Sequence, residues 1–219
     1  MKKKIILFGR GGHANIILDS IESTKSYIPI GYIGDKNYLS LSNKLKYLGS
    51  MKNFKEVIKN LDLKTTFGIV AIAANPMRKK VAEEVNKLNK DFKWANIIHP
   101  SSVISRSVKL GFGNMILAGS IICAGTIIHN HVSINTGTYI DHDNNLLDFS
   151  STGPGVTTGG NVKLGKGSFL GIGSAVRHKI VIGNNTVVGG QSFVCKDCES
   201  NSVYFGVPSK RIRKRKPDE

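Results

Sequence analysis

Acidic residues are scarce in this chain. Fifteen Asp and Glu stand against 31 Lys and Arg over 219 residues, giving a formal charge of +16. That imbalance disfavours cationic partners and points to phosphate-bearing ones, such as nucleotide-sugars, coenzyme A or nucleic acid. Six of the ten residues from Lys210 to Glu219 are Lys or Arg. No aromatics interleave with them, so no nucleic-acid partner is expected; the tail is either solvated or in weak contact with phosphates or an anionic surface. The three cysteines, Cys123, Cys195 and Cys198, are too few for a disulfide framework. Cys195 and Cys198 lack a second ligand pair at zinc-site spacing, which leaves unpaired thiols in a reducing compartment. No apolar run approaches the roughly 20 residues of a membrane span. The opening MKKKIILFG mimics a signal peptide but breaks at Gly9-Arg10-Gly11-Gly12 without a cleavage pattern. It reads as a buried first strand of a cytoplasmic protein.

What the chain does have is a clock. Stepping by six from Ile104 to Val194 meets sixteen residues, of which all but Thr152 and Thr158 are aliphatic. A helix would space its apolar residues by three and four, and an isolated strand by two. A sustained period of six is the signature of a hexapeptide β-helix. The residue after each aliphatic is often Gly, Asn or Asp, including Gly111, Asn135, Asp141, Gly165 and Gly171. These types tolerate positive φ, which predicts the sharp corner there. Four residues after each aliphatic come small or β-branched side chains, among them Ser120, Thr126, Thr138, Val156 and Ser168, suited to the inside of a narrow prism. Three hexads make one triangular coil, so residues eighteen apart stack at about one strand spacing, ~4.8 Å.

Before residue 100 the pattern changes. Lys4–Phe8, Ile28–Ile33 and Phe67–Ala73 read as strands, and Met77–Leu88 as a helix. Asn75-Pro76 is expected to be an N-cap followed by proline at the first helical position, and Trp94–Ile98 a further strand. Strand–helix alternation implies a small parallel α/β sheet. The domains are expected to be 1-98, a Rossmann-like α/β unit, and 99-219, a β-helix with a basic tail. Gly9-x-Gly11-x-x-Ala14, with Asp35 about twenty residues on, satisfies a permissive dinucleotide fingerprint. About 100 residues supply only one half of a dinucleotide fold. A Gly-rich turn before a helix still aims backbone N–H groups at a phosphate, so one nucleotide diphosphate fits better than NAD. The alternative is glycines that serve only a tight turn.

Asp141-His142-Asp143 follows the aliphatic Ile140. His142 is expected to face outward, with Gly160 stacked one coil above it and His178 two. A thioester carbonyl could dock on that side-chain-free ledge, its oxyanion meeting the N–H of Gly159 or Gly160. Asp143 could orient the imidazole as the acid of a triad does.

GRGGHA, GYIGDK, AANPMRKK, IIHPSS, INTGTYIDHD, GGNVKLGKGSFLGIGS and YFGVPSKRIRK occur in this order along the whole chain. Together they resemble the sialic-acid O-acetyltransferase and UDP-4-amino-sugar N-acetyltransferase family. The resemblance implies a nucleotide-binding α/β domain joined to a left-handed β-helix, a homotrimer, and acetyl-CoA bound between neighbouring helices. It implies His142 as catalytic base and Asp143 as the acid beside it, where the family commonly has the longer glutamate. Ser151 stands where the family often has a second histidine contacting acetyl-CoA. Gly160, Ile172 and Gly190 match positions lining the coenzyme channel. Gly11, Gly12, His13, Asp35 and Lys36 match the nucleotide-sugar pocket, with Ala73 and Asn75 beside it. Gly206-Val-Pro208-Ser-Lys210 resembles a terminal motif near the coenzyme.

The expected reaction is direct acetyl transfer to the amine of a nucleotide-linked (UDP- or GDP-) 4-amino-deoxy sugar, with no metal. O-acetylation of a sialic-acid-type sugar is the alternative, since one base serves either acceptor. A metalloenzyme resembling the hexapeptide-repeat carbonic anhydrases would need His129, His131 and His142 as ligands, but these lie in different columns. A non-catalytic scaffold is the last alternative.

Overall fold

The computed structural model describes residues 3–34 and 45–216; Asp35 and Lys36 lie outside the described residues. The chain divides into two compact units, Met1–Pro100 and Ser101–Glu219.

In the first unit, β1 (Lys3–Phe8), β2 (Tyr27–Ile33), β3 (Tyr47–Gly49) and β4 (Thr66–Val70) form a parallel sheet of order β3-β2-β1-β4. Helix α1 (Gly12–Thr24) buries Ile17, Leu18 and Ile21, and Phe8, Phe54, Phe92 and Trp94 pack edge-on or tilted around one another. A 3-10 turn (Met51–Asn53), helix α2 (Phe54–Lys59) and strand β3 are additions to the sequence reading. Between Trp94 and Ile98 only Ile97–Ile98 is a strand, Trp94 making a single bridge to Gly68.

The strand expected over 67–73 ends at Val70 because the next carbonyls turn elsewhere. Arg78, fully buried, donates to Ile72 O at 3.1 Å, Ala73 O at 2.8 Å and Asn75 Oδ1 at 2.7 Å. The same contact corrects the reading of Asn75 as a cap. Helix α3 spans Asn75–Leu88 with Ala74 as N-cap and no side-chain cap bond, since the Asn75 amide is drawn to the guanidinium.

The second unit is a parallel β-helix of two-residue strands on three faces. The first face runs Val103–Ile104, Ile121–Ile122, Tyr139–Ile140, Thr157–Thr158, Ala175–Val176 and Phe193–Val194. The second stacks Lys109–Leu110, Ile127–Ile128, Asn145–Leu146, Lys163–Leu164 and Val181–Ile182. The third includes Met115–Ile116, Ser133–Ile134, Ser151–Thr152, Phe169–Leu170 and Val187–Val188, then a terminal antiparallel hairpin, Ser202–Gly206 with Ser209–Lys214. In the last hairpin strand Lys210 and Lys214 are exposed.

Both inward columns are where the period places them. From Ile116 to Val194 every sixth residue is at most 3% exposed, and Ser120, Thr126, Thr138, Val156 and Ser168 are at most 1% exposed. Each fully buried aliphatic contributes about 1.5–3 kcal/mol, so strands too short to persist alone are held by the stack. The two polar breaks are satisfied: Thr152 Oγ1 accepts Asn135 N–H at 3.1 Å, and Thr158 Oγ1 accepts Asp141 N–H at 3.4 Å.

The corner reading needs correction. Positive φ falls three residues after the aliphatic, at Gly113, Gly119, Gly125, His131, Gly137, Asp143 and onward, not one residue after. Glycine at the earlier column answers to close approach of the next coil. A Cβ on Gly153 would stand 2.7 Å from Ile172 N, and one on Gly159 2.7 Å from His178 N.

Candidate active site

His142 lies in the turn between Tyr139–Ile140 and Asn145–Leu146, and its side chain is 54% exposed. Its Nδ1 stands 2.8 Å from Asp143 Oδ2. A carboxylate can only accept, so Nδ1 carries the proton and Nε2 of the neutral ring presents a lone pair. Asp143 reaches the ring despite its short side chain because its own backbone is left-handed, φ 56. The hydrogen bond to Asp143 is the main influence that raises the His142 pKa above the usual 6.5; burial opposes it, and the charges of Asp141 and Asp143 add to it.

Two glycines make room for this pair. A Cβ on Gly160, one coil above, would come within 2.5 Å of His142 Nε2. A Cβ on Gly125, one coil below, would run into Asp143 Oδ1. The Gly159 N–H expected at an oxyanion is already engaged, donating to Val176 O at 2.8 Å. Gly160 N–H donates to no protein acceptor among the described residues.

The turn is pinned from inside the prism. Asn144, 1% exposed, places Nδ2 at 2.8 Å from Asp141 O, 3.2 Å from His142 O and 3.0 Å from Gly159 O. Thr126 Oγ1 donates to Asp141 O at 3.0 Å, and His142 N–H donates to Asp141 Oδ1 at 2.8 Å. Sequence reasoning missed Asn144 and Thr158 as supports. The available signal was a bulky amide in a column of small residues, and a polar break in the aliphatic column one coil on.

The other expected site residues do not join His142 within one chain. Ile172, 60% exposed, and Gly190 stack together at the corner between the third and first faces, across the first face from His142. Ser151 is buried on the third face, between Ser133 and Phe169. His129 Nε2 pairs with Asn145 Oδ1 at 3.0 Å, and the buried His131 ring stacks on Phe149 with centroids 5.0 Å apart. Neither converges on His142.

In the first unit a cavity of about 320 Å³ opens at the C-terminal ends of β1 and β2, lined by Phe8, Gly9–Gly12, Ile33, Gly34, Met51, Ile72 and Val81. Gly9 serves the tight turn: its φ is +114, and a Cβ would press on Ile72 Cγ1 at 2.7 Å. Gly11 and Gly12 do not, because a Cβ on either would meet nothing within 4 Å. They leave open space over the N-terminus of α1, whose cap residue Gly11 offers no side-chain bond, the arrangement that receives an anion. His13 sits in the first turn of α1. Burial chiefly, and then the Arg78 charge, pull its pKa down to about 4, so it is neutral at physiological pH. Burial also lowers Arg78, to about 9, still cationic. Ala73 and the buried Asn75 lie beside the guanidinium rather than on the cavity wall.

The Asp143–His142 bond carries a pH prediction. A raised imidazole pKa keeps the base protonated to higher pH, so a rate that needs neutral His142 rises late. In Asp143→Asn the rising limb of kcat/KM moves to lower pH, and the plateau falls about 10- to 100-fold. A pH–rate profile checks this; an unmoved limb removes Asp143 from the base's electrostatics.

Known proteins share this architecture. The PglD N-terminal domain family matches residues 4–85. UDP-N-acetylbacillosamine N-acetyltransferase of Bacillus subtilis (strain 168) is 31% identical over 116 residues, 53% of this chain and 52% of that one. The matched stretch thus spans about half the length of that curated relative. Among solved structures, the acetyltransferase domain of PglB from Neisseria gonorrhoeae FA1090, in complex with acetyl coenzyme A, superposes with a TM-score of 0.87 at 25% identity, covering 97% of this chain and 100% of that one. A histidine-to-alanine mutant of GDP-perosamine N-acetyltransferase from Caulobacter crescentus, in complex with CoA and GDP-perosamine, gives 0.87 at 29% identity, covering 97% and 98%. The PglD N-terminal domain match thus lies within the α/β unit, and both units together share the fold of these acetyltransferases.

Proposed function

We propose that the protein transfers the acetyl group of acetyl-CoA directly to the amine of a UDP- or GDP-linked 4-amino-deoxy sugar. The observation that carries this reading is the 2.8 Å bond from His142 Nδ1 to Asp143 beneath the Gly160 ledge. The neutral amine attacks the thioester carbonyl. As the N–C bond forms, the amine's proton passes to His142 Nε2. The tetrahedral oxyanion is stabilised by Gly160 N–H, and collapse breaks the C–S bond. The departing thiolate takes the proton back, releasing free CoA and the amide. General-base help is worth about 10²–10⁴-fold, with positioning and the oxyanion donor adding to it. No covalent enzyme intermediate is needed.

The cavity at Gly9–Gly12 holds the nucleotide diphosphate, with Gly11 and Gly12 letting the phosphates approach the α1 N–H groups. Gly160, Ile172 and Gly190 line the coenzyme channel. Because the Ile172–Gly190 corner and the His142 corner lie apart on one chain, we read the working particle as a homotrimer in which neighbouring β-helices together hold acetyl-CoA, as the family resemblance implies. The Caulobacter relative bound to GDP-perosamine supports an amino-sugar acceptor.

The test is incubation with acetyl-CoA and a panel of UDP- and GDP-linked 4-amino sugars beside free sialic acids, following thiol release. Turnover is expected with at least one amino-sugar nucleotide. Turnover confined to sialic acids would replace N-acetylation by O-acetylation.

A further inference from the structure

The column four residues after each aliphatic holds Ser, Thr or Val in most hexads, as at Ser120, Thr126, Val132 and Thr138. Two hexads hold a larger amide instead: Asn114, fully buried, and, in the hexad that carries His142, Asn144, buried to 1% exposure inside the prism. The orientation of Asn144 is set by its surroundings. Nδ2 faces the carbonyls of Asp141, His142 and Gly159 at 2.8, 3.2 and 3.0 Å, and the flipped amide would set an oxygen against three oxygens. With only two hydrogens, Nδ2 shares one of them.

The contact to Gly159 is the informative one. Asp141 O is also reached by Thr126 Oγ1, and His142 O also accepts Asn161 N–H at 2.9 Å. Gly159 O has no donor but Asn144 among the described residues. That carbonyl belongs to the same peptide unit as Gly160 N–H, the group left without a protein acceptor beside the imidazole. A hydrogen bond at one end of a peptide fixes its plane and strengthens the donor at the other end.

We propose that Asn144 is a positioning residue for acetyl transfer. By tying the His142 turn to the Gly159–Gly160 peptide of the next coil, it aims and polarises the Gly160 N–H at the oxyanion. This rests on the acetyltransferase reading above. Asn144 touches no substrate and acts through Gly160.

The test is Asn144→Ser, which restores the residue type the column holds elsewhere, so the β-helix is retained. Steady-state kinetics should show kcat lower by about 10- to 100-fold, a weakened rather than deleted oxyanion donor. KM for acetyl-CoA should stay within about threefold, and the pH limb should stay in place, unlike that of Asp143→Asn. Ser168→Ala is the control for general loosening. Ser168 Oγ donates to Gly183 O at 2.6 Å at a corner away from His142, and its loss should cost stability while kcat is kept. A readout independent of activity is the Gly160 amide proton, whose NMR resonance should move upfield in Asn144→Ser. Wild-type kcat in that variant, or a loss no greater than its unfolded fraction, overturns the proposal, as does an unmoved Gly160 resonance. If the wild-type protein acetylates nothing in the panel, the functional reading fails, and the Gly160 resonance still decides whether Asn144 controls that peptide.

Discussion

His142→Ala is expected to fold with an unchanged Tm and to turn over about 10²–10⁴-fold more slowly, the range a general base supplies. The fold survives because the ring is half exposed and fills no core. The backbone contacts of residue 142, its N–H to Asp141 Oδ1 and its carbonyl to Asn161 N–H, do not involve the side chain. KM for both substrates should change little, since in the proposed mechanism the imidazole acts on the amine's proton rather than on ligand binding. The rising pH limb should vanish with the base. Wild-type turnover in His142→Ala would end the assignment.

Gly160→Ala is expected to lose as much although no titratable group is replaced. The new methyl would stand 2.5 Å from His142 Nε2, 2.6 Å from Cε1 and 3.0 Å from Cδ2, closer than atoms in contact can sit. Gly160 is not among the residues with positive φ, so alanine is compatible with its backbone and the whole cost falls on the ring. The ring is free to swing into solvent, so stability is kept. It leaves Asp143 and its place beside the ledge, and kcat drops by about 10²-fold or more. Circular dichroism and kinetics together check this. A folded Gly160→Ala with undiminished kcat would show that the base does not work where it stands. The variant differs from Asn144→Ser in kind, as one displaces the base and the other slackens the donor opposite it.

Much of this arrangement was legible in the chain, for a definite reason. A β-helix converts sequence separation into spatial position by a fixed rule, so His142 could be placed outward and Gly160 above it by adding eighteen. The inward columns followed from the same arithmetic. What the arithmetic omits is where hydrogen bonds go inside a coil. The column of positive φ was placed two residues early, because Gly, Asn and Asp suit both a left-handed turn and a tight stack, and composition does not separate the two uses. The sequence pattern alone does not mark Asn144 as a support, because the three carbonyls around it come together only in the fold. In the first unit, Arg78 defied the rule that arginine stays outside. Its burial moved the end of β4, and it took Asn75 away from the capping role its neighbour Pro76 suggested. Thr152 and Thr158 were visible as interruptions, but their service to the turns at Asn135 and Asp141 depended on a register only the fold displays.

The pairing of one acid–imidazole couple with a glycine on the storey below and another on the storey above spreads the proposed catalytic device over three flights of one staircase. Flights added or removed beyond Gly125 or Gly160 leave those three landings aligned, so the staircase can lengthen or shorten over evolutionary time without disturbing the chemistry. Between the two glycines the number of steps is fixed: one hexad gained or lost there would carry the upper landing a third of the way around the shaft.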